Sequence, residues 1–180
     1  ITRLQASQSH VVHCPESNLK LGSGIAPIQA LVDAGINVAL GTDGAASNND
    51  LDMIGEMRTA CLLAKGATNN PEAVPAATAL AMATINGAKA IGLDHLIGSL
   101  EVGKQADIIA LDFSQPWNQP LLNPLSQLVY AAHAGMVSHS WVAGKNLLNN
   151  RTLTTLDTAL IKQRAQDLSP TIHPFVYRPH

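Results

Sequence analysis

Long apolar runs are missing from this sequence. Its most extended apolar stretch, Ala76 to Ala83, is broken by Thr78 and falls well short of the ~18 consecutive apolar residues of a membrane-spanning helix. The chain therefore reads as a non-membrane protein. Basic excess is missing too, since 11 Lys and Arg stand against 13 Asp and Glu in 180 residues, a formal net charge of −2. Nucleic-acid or anionic-membrane binding needs clustered cations to neutralise phosphates. No such cluster occurs, which excludes both partners. Cysteine is nearly absent: Cys14 and Cys61 stand far apart and form no CxxC pair, which argues against a disulfide framework and for a reducing cytoplasm. The opening residues, Ile1-Thr2-Arg3-Leu4-Gln5, carry neither an initiator Met nor the charged-then-apolar layout of a secretion signal.

The 46% hydrophobic content and a length near that of one domain predict a single globular unit with a solvent-excluded core. His10 to Cys14 is a β-prone run closed by Pro15, and Ile36 to Leu40 is a second one closed by Gly41-Thr42-Asp43-Gly44. Between them Pro27 suits a first helical residue, Ile28, Leu31 and Val32 share a helical face, and Gly35 supplies a stop. A β-loop-α-β order favours parallel strands joined by a right-handed crossover. Leu51, Ile54, Met57, Cys61 and Ala64 predict a helix over Leu51 to Lys65. An Ala-rich helical stretch follows from Pro71 to Ile91, with a break expected at Asn86-Gly87.

From Gly98 the texture becomes turn-rich, placing a boundary near residue 97. Ile108 to Leu111 reads as a strand, and Ser138 to Val142 with Asn146 to Leu148 as a hairpin turning at Gly144. Thr154 to Leu168 is expected as an amphipathic helix with Thr154 as its N-cap and Asp157 three residues on. An extended tail is expected from Ser169, because Pro170, Pro174 and Pro179 punctuate it.

Asp43 is the most suggestive single residue. It stands at the carboxyl end of a buried strand between Gly41 and Gly44, where α/β proteins place reactive groups; an ordinary turn aspartate is the plain alternative. If the two strands are parallel neighbours, His13 to Asn18 brings His, Ser and Asn to the same rim. His13 reads either as a pocket residue or as a core histidine, and Ser17 and Asn18 as loop-shaping side chains. Asp52 and Glu56 are expected to cap or solvate the first turn of the next helix. His95, His133 and His139 read as structural and remote from the strand ends, Cys14 as a small buried residue, and Trp117 and Trp141 as packing anchors.

These blocks carry a family resemblance. His13-Cys14-Pro15-Glu16-Ser17-Asn18-Leu19-Lys20-Leu21, then Gly24-Ile25-Ala26-Pro27, then Leu40-Gly41-Thr42-Asp43-Gly44-Ala45-Ala46-Ser47-Asn48-Asn49-Asp50-Leu51-Asp52-Met53 resemble the amidohydrolase superfamily. Within it the chain is most similar to the 5′-methylthioadenosine/S-adenosylhomocysteine deaminases and their chlorohydrolase relatives. Gly98 to Asp107 and Trp141 to Lys145 resemble the family's small β-domain, so the likeness covers nearly the whole chain. It implies an α/β fold: residues 1–97 as the C-terminal portion of a metal-bearing (β/α)₈ barrel, 98–168 as part of a small β-sandwich domain with a terminal helix, and 169–180 as the tail.

The resemblance further implies a divalent metal, usually zinc, with Asp43 as ligand and proton acceptor, and Ser47, Asn49 and His13 as substrate contacts. The implied reaction is hydrolytic deamination of an aminopurine nucleoside thioether: the metal lowers the pKa of its water, Asp43 takes the proton, a glutamate passes it to the leaving amine, and ammonia departs. The family's His-x-His, its later ligand histidine, its glutamate and a further histidine all belong upstream of Ile1, and a full barrel takes roughly 250 residues. The expectation is a carboxy-terminal fragment, inactive and unable to hold zinc tightly by itself, with a homodimer or a complementing N-terminal half as partner. A chlorohydrolase or guanine-type deaminase on the same scaffold, or a non-catalytic half-barrel that needs another chain, are the alternatives.

Overall fold

Two short strands, β1 (Val11–His13) and β2 (Val38–Leu40), pair in parallel with Val11 opposite Val38 and His13 opposite Leu40. The computed structural model that places them describes residues 1–176, with side-chain surroundings given through residue 172. All three residues of β2 are buried, as befits a parallel strand covered on both faces. β1 is half-open, with Val12 exposed. A single-turn helix, α1 (Thr2–Ala6), precedes it.

The connection between the strands holds two helices where one was predicted. α2 (Pro15–Leu21) begins directly at the end of β1 and closes on Gly22 at φ 66°. Glu-Ser-Asn looks like a loop, but Pro15 sits at the first helical position, where its missing N–H costs nothing and its fixed φ suits the turn. α3 (Ile28–Asp33) buries Ile28 and Leu31 as the spacing predicts, with Pro27 serving as its N-cap rather than its first residue.

α4 (Met53–Thr68) starts two residues later than Leu51, which adopts φ 53° and is exposed. Asp52 caps this helix, its Oδ1 accepting from the Ile54 N–H at 2.8 Å. Ile54, Met57, Cys61 and Ala64 are buried on one face. The Ala-rich stretch forms α5 (Ala76–Ala83) and α6 (Ile85–Ala90), broken at Thr84 rather than at Asn86-Gly87. The Thr84 hydroxyl donates to the Leu80 carbonyl at 2.6 Å, while the Asn86 amide donates to the Val38 carbonyl at 2.9 Å. Asn86 therefore ties α6 to β2 instead of ending a helix.

Beyond residue 97 a second sheet forms from β3 (Ile108–Leu111), β4 (Val137–Val142), β5 (Lys145–Asn149) and β6 (Thr152–Leu153), antiparallel and in that order. Ala143 and Gly144 take φ 49° and 79°, and Asn150 and Arg151 take 45° and 63°. Paired positive φ values match the twist of two-residue hairpins. Between β3 and β4 the chain returns to the first half through α7 (Pro124–Tyr130), capped by Asn123, whose Oδ1 accepts from the Ser126 N–H. Val129, Ala132 and Met136 join the same apolar core as Met57, Val74 and Met82.

The chain closes in α8 (Thr158–Val176). Asp157, not Thr154, is the cap: its Oδ1 accepts from the N–H groups of Ala159 and Leu160, while Thr154 donates to the Asn146 carbonyl. The helix continues through Pro170 into the stretch expected to be extended. Its described side chains are all exposed, so water can satisfy the carbonyl that Pro170 leaves without a donor. Pro179 and His180, and the side chain of His173, lie outside the described residues. Among the described residues no helix is long and apolar enough to cross a membrane.

Candidate active site

The chain turns sharply where β2 ends. A Cβ on Gly41 would stand 3.0 Å from Val12 Cγ1 and 3.3 Å from Cys14 Sγ, so glycine lets the strand ends approach each other. Two residues on, Asp43 adopts φ 61°, a left-handed conformation that costs energy for a residue with a Cβ. That turn lifts the carboxylate out of the sheet into the open rim, where Asp43 is exposed.

Two hydroxyls hold it there. Ser17 Oγ, from the first turn of α2, and Ser47 Oγ, from the loop after β2, each donate to Asp43 Oδ2 at 2.8 Å. The Ser17 bond, the Ser47 bond and the Gly44 N–H hold the Asp43 carboxyl below its ordinary range. Asp43 is thus an ionised carboxylate whose Oδ1 receives no side-chain donor from the described residues.

The loop from Gly44 to Asp50 is tied on two sides. Lys20 Nζ donates to the Ala46 carbonyl at 2.9 Å and to Asn49 Oδ1 at 2.7 Å. Asn48 is buried and donates to Glu56 Oε1 at 2.5 Å. A cavity of about 290 Å³ opens beside the loop, lined by Glu16, Lys20, Ser47, Asn48, Asn49 and Asp50. Of the residues expected at the site, Asp43, Ser47 and Asn49 therefore come together on one rim. A mostly apolar hollow of about 470 Å³ between α6 and the 97–109 segment is lined by none of these residues.

Donor chemistry fits Asp43 to a divalent cation, because an ionised, exposed carboxylate whose Oδ2 is held by two hydroxyls presents a hard oxygen donor in a fixed orientation. Among the described residues no group of three His, Cys, Asp or Glu side chains is disposed to hold a metal.

The amidohydrolase family model matches residues 1–147. This chain belongs to the amidohydrolase family. A 5-methylthioadenosine/S-adenosylhomocysteine deaminase of Teredinibacter turnerae is 54% identical over 165 residues, which are 92% of this chain and 37% of that protein. The crystal structure of an adenosine deaminase from Xanthomonas campestris with bound zinc is 52% identical and superposes with a TM-score of 0.88 over 92% of this chain and 38% of its own. An atrazine chlorohydrolase from Arthrobacter aurescens complexed with zinc is 30% identical, with a TM-score of 0.83 over 91% of this chain and 36% of its own. The chain spans little more than a third of the length of these relatives.

Within the amidohydrolase chain several side chains sit differently from their sequence-based expectation. His13 is 3% exposed, its Nδ1 has no partner among the described residues, and burial pulls its pKa down to about 4, so it is a neutral imidazole beneath the rim and off the cavity wall. Glu56 was expected to solvate the start of α4; it is instead wholly buried, and burial pushes its pKa up to about 7. Asp52 does cap α4, and its Oδ2 also accepts from the Ala134 N–H at 2.8 Å, which ties the segment after α7 to the start of α4. Ser17, expected to shape its loop through backbone bonds, instead donates its hydroxyl to Asp43 Oδ2. Its clue was Pro15, which starts a helix and so puts Ser17 on the first turn at the strand end. Burial and the negative charges of Asp43 and Glu56 push the Cys14 thiol up, which keeps it protonated and inert. His139 stacks on Trp141 with ring centroids 5.5 Å apart, in the second sheet and away from the rim.

Proposed function

We propose that this chain is the Asp43-bearing part of a zinc-dependent deaminase that removes the amino group of 5-methylthioadenosine and S-adenosylhomocysteine. The observation that carries the reading is the Asp43 carboxylate, ionised at the end of β2 and steadied by Ser17 and Ser47. The named function of the Teredinibacter turnerae relative supports the choice of substrate. On this reading β1 and β2 are the last two strands of a (β/α)₈ barrel, residues 1–97 are its final portion, and 98–168 form a segment of a small β-sandwich domain from which α7 reaches back. The remaining ligands and the proton-shuttling glutamate belong to the upstream half, on a longer chain or a partner; a cytoplasmic homodimer is the expected assembly.

A divalent ion bound there supplies Lewis acidity, which brings the pKa of a water near neutrality. Asp43 would hold that ion through its carboxylate, and the same carboxylate would accept the proton of the attacking water. The water oxygen bonds to the purine carbon bearing the amino group, the upstream glutamate carries the proton from Asp43 to the amino nitrogen, and the C–N bond breaks with its electron pair leaving on that nitrogen as ammonia. Ser17 and Ser47 keep Oδ2 occupied, so the carboxylate presents one face to the reaction. Ser47 and Asn49 on the cavity wall contact the nucleoside, and neutral His13 backs the site from β1. Ammonia release from 5-methylthioadenosine by the complete barrel, with and without Asp43→Ala, tests the proposal; undiminished release from the variant refutes it.

A further inference from the structure

Ser17 and Ser47 come from different elements, yet both must be placed to within a few tenths of an ångström for their hydroxyls to converge on one oxygen. Their chain neighbours explain how. Glu16 precedes Ser17 and its backbone N–H donates to Glu56 Oε2 at 3.3 Å; Asn48 follows Ser47 and its amide donates to Glu56 Oε1 at 2.5 Å. Each oxygen of one buried carboxyl thus holds the residue adjacent to one of the two serines. We propose that Glu56 is a positioning residue, a buried latch that sets the two Asp43-bonding serines through Glu16 and Asn48.

The surrounding bonds give the latch one arrangement. Asn48 Oδ1 accepts from the Leu51 N–H at 3.2 Å, which turns the Asn48 amide nitrogen toward Glu56. Thr59, one turn along α4 from Glu56, donates to Glu16 Oε1 at 2.7 Å, so α4 grips the first turn of α2 twice. Glu56 itself is fully buried at the end of the first turn of α4. Truncating such a group leaves two buried donors without acceptors. A glutamine has the same shape but only one acceptor end, so in either flip its amide faces a donor.

The latch deepens the deaminase reading and rests on it for its effect on turnover, but its geometry is testable without metal or substrate. The first arm is amide hydrogen exchange on the complete protein, without metal or substrate. Glu56→Gln is expected to speed exchange at Ser47, Asn48 and Leu51 by roughly tenfold or more, while the β3 to β5 sheet keeps its rates. Val129→Ala, a core truncation on α7 away from the latch, is the control and is expected to show no such local excess. If Glu56→Gln does not fold, Asn48→Ala cuts the same latch from the loop side and is expected to give the same local pattern. The second arm is kinetics of the complete enzyme, where Glu56→Gln is expected to lower kcat roughly 10- to 100-fold with KM held, as for loss of an outer-shell partner. Exchange that is unchanged or uniformly raised overturns the latch, and so does an unaltered kcat. If the complete wild-type enzyme releases no ammonia, the deaminase reading falls and the exchange arm alone decides the latch.

Discussion

Ser17 Oγ and Asp43 Oδ2 lie 2.8 Å apart across 26 residues of sequence, joining the helix that follows β1 to the turn that follows β2. The bond ties two adjacent strand ends into one rim and fixes the orientation of the carboxylate on which the proposed chemistry depends. Ser47 makes the equivalent bond from the loop side.

Replacing Ser17 with Ala removes one of the two hydroxyls while leaving the chain's shape intact. Zinc affinity or turnover of the complete enzyme should fall roughly 10- to 100-fold, the usual cost of losing an outer-shell partner. Fold stability should change by about 1 kcal/mol, the worth of one hydrogen bond. Metal titration and denaturant unfolding of the same variant separate the two effects.

Two buried titratable groups give the fold opposed pH dependences. His13 binds its proton at about 4 in the folded chain against an ordinary 6.5, so its contribution to stability is lost as pH falls from 6.5 toward 4. Glu56 titrates at about 7 against an ordinary 4.5, so its contribution is lost as pH rises from 4.5 toward 7. Each slope is at most ~1.4 kcal/mol per pH unit, and between pH 4.5 and 6.5 they cancel. The wild-type urea midpoint should be nearly flat across that window, whereas Glu56→Gln should become steadily more stable as pH rises. A variant profile parallel to wild type would contradict the assignment.

Asp52 serves two partners, capping α4 through Oδ1 and receiving the Ala134 N–H through Oδ2. Asp52→Ala should destabilise the chain by about 1 to 3 kcal/mol, a cap plus one tertiary hydrogen bond. Asp52→Asn should recover most of the cap, because asparagine is an equally good N-cap. Thermal unfolding of the two variants side by side checks the ordering.

Much of this fold is legible locally. The bounds of β3, the parallel partnership of β1 with β2 and the hairpin turn at Gly144 follow from β-branched runs and glycine placement, which act within a few residues. The placement of Asp43 just beyond β2 was legible because a glycine-flanked acid after a β-prone run is a local pattern. Glu56 was not: its role depends on Asn48 eight residues earlier and on Glu16 forty residues earlier, and no periodicity in α4 carries that information. The same limit explains Thr84, where a side-chain bond to the preceding turn and the grip of Asn86 on β2 together outweigh the breaking tendency of Asn86-Gly87. Pro170 misled for another reason, since an exposed helix loses little when water replaces one missing donor.

Zinc binding by this chain alone should be weak, because among the described residues Asp43 has no cluster of further ligands around it and a tight catalytic site needs about three. Calorimetric titration of the isolated chain should show no high-affinity site. A tight stoichiometric site would place the remaining ligands within this chain.

The most direct test of the central claim is ammonia release from 5-methylthioadenosine in the presence of zinc, measured for this chain joined with the proposed upstream half, for the same assembly carrying Asp43→Ala, and for this chain alone. The account predicts turnover by the wild-type assembly only. Turnover by the Asp43→Ala assembly at the wild-type rate, or by the isolated chain, would contradict it.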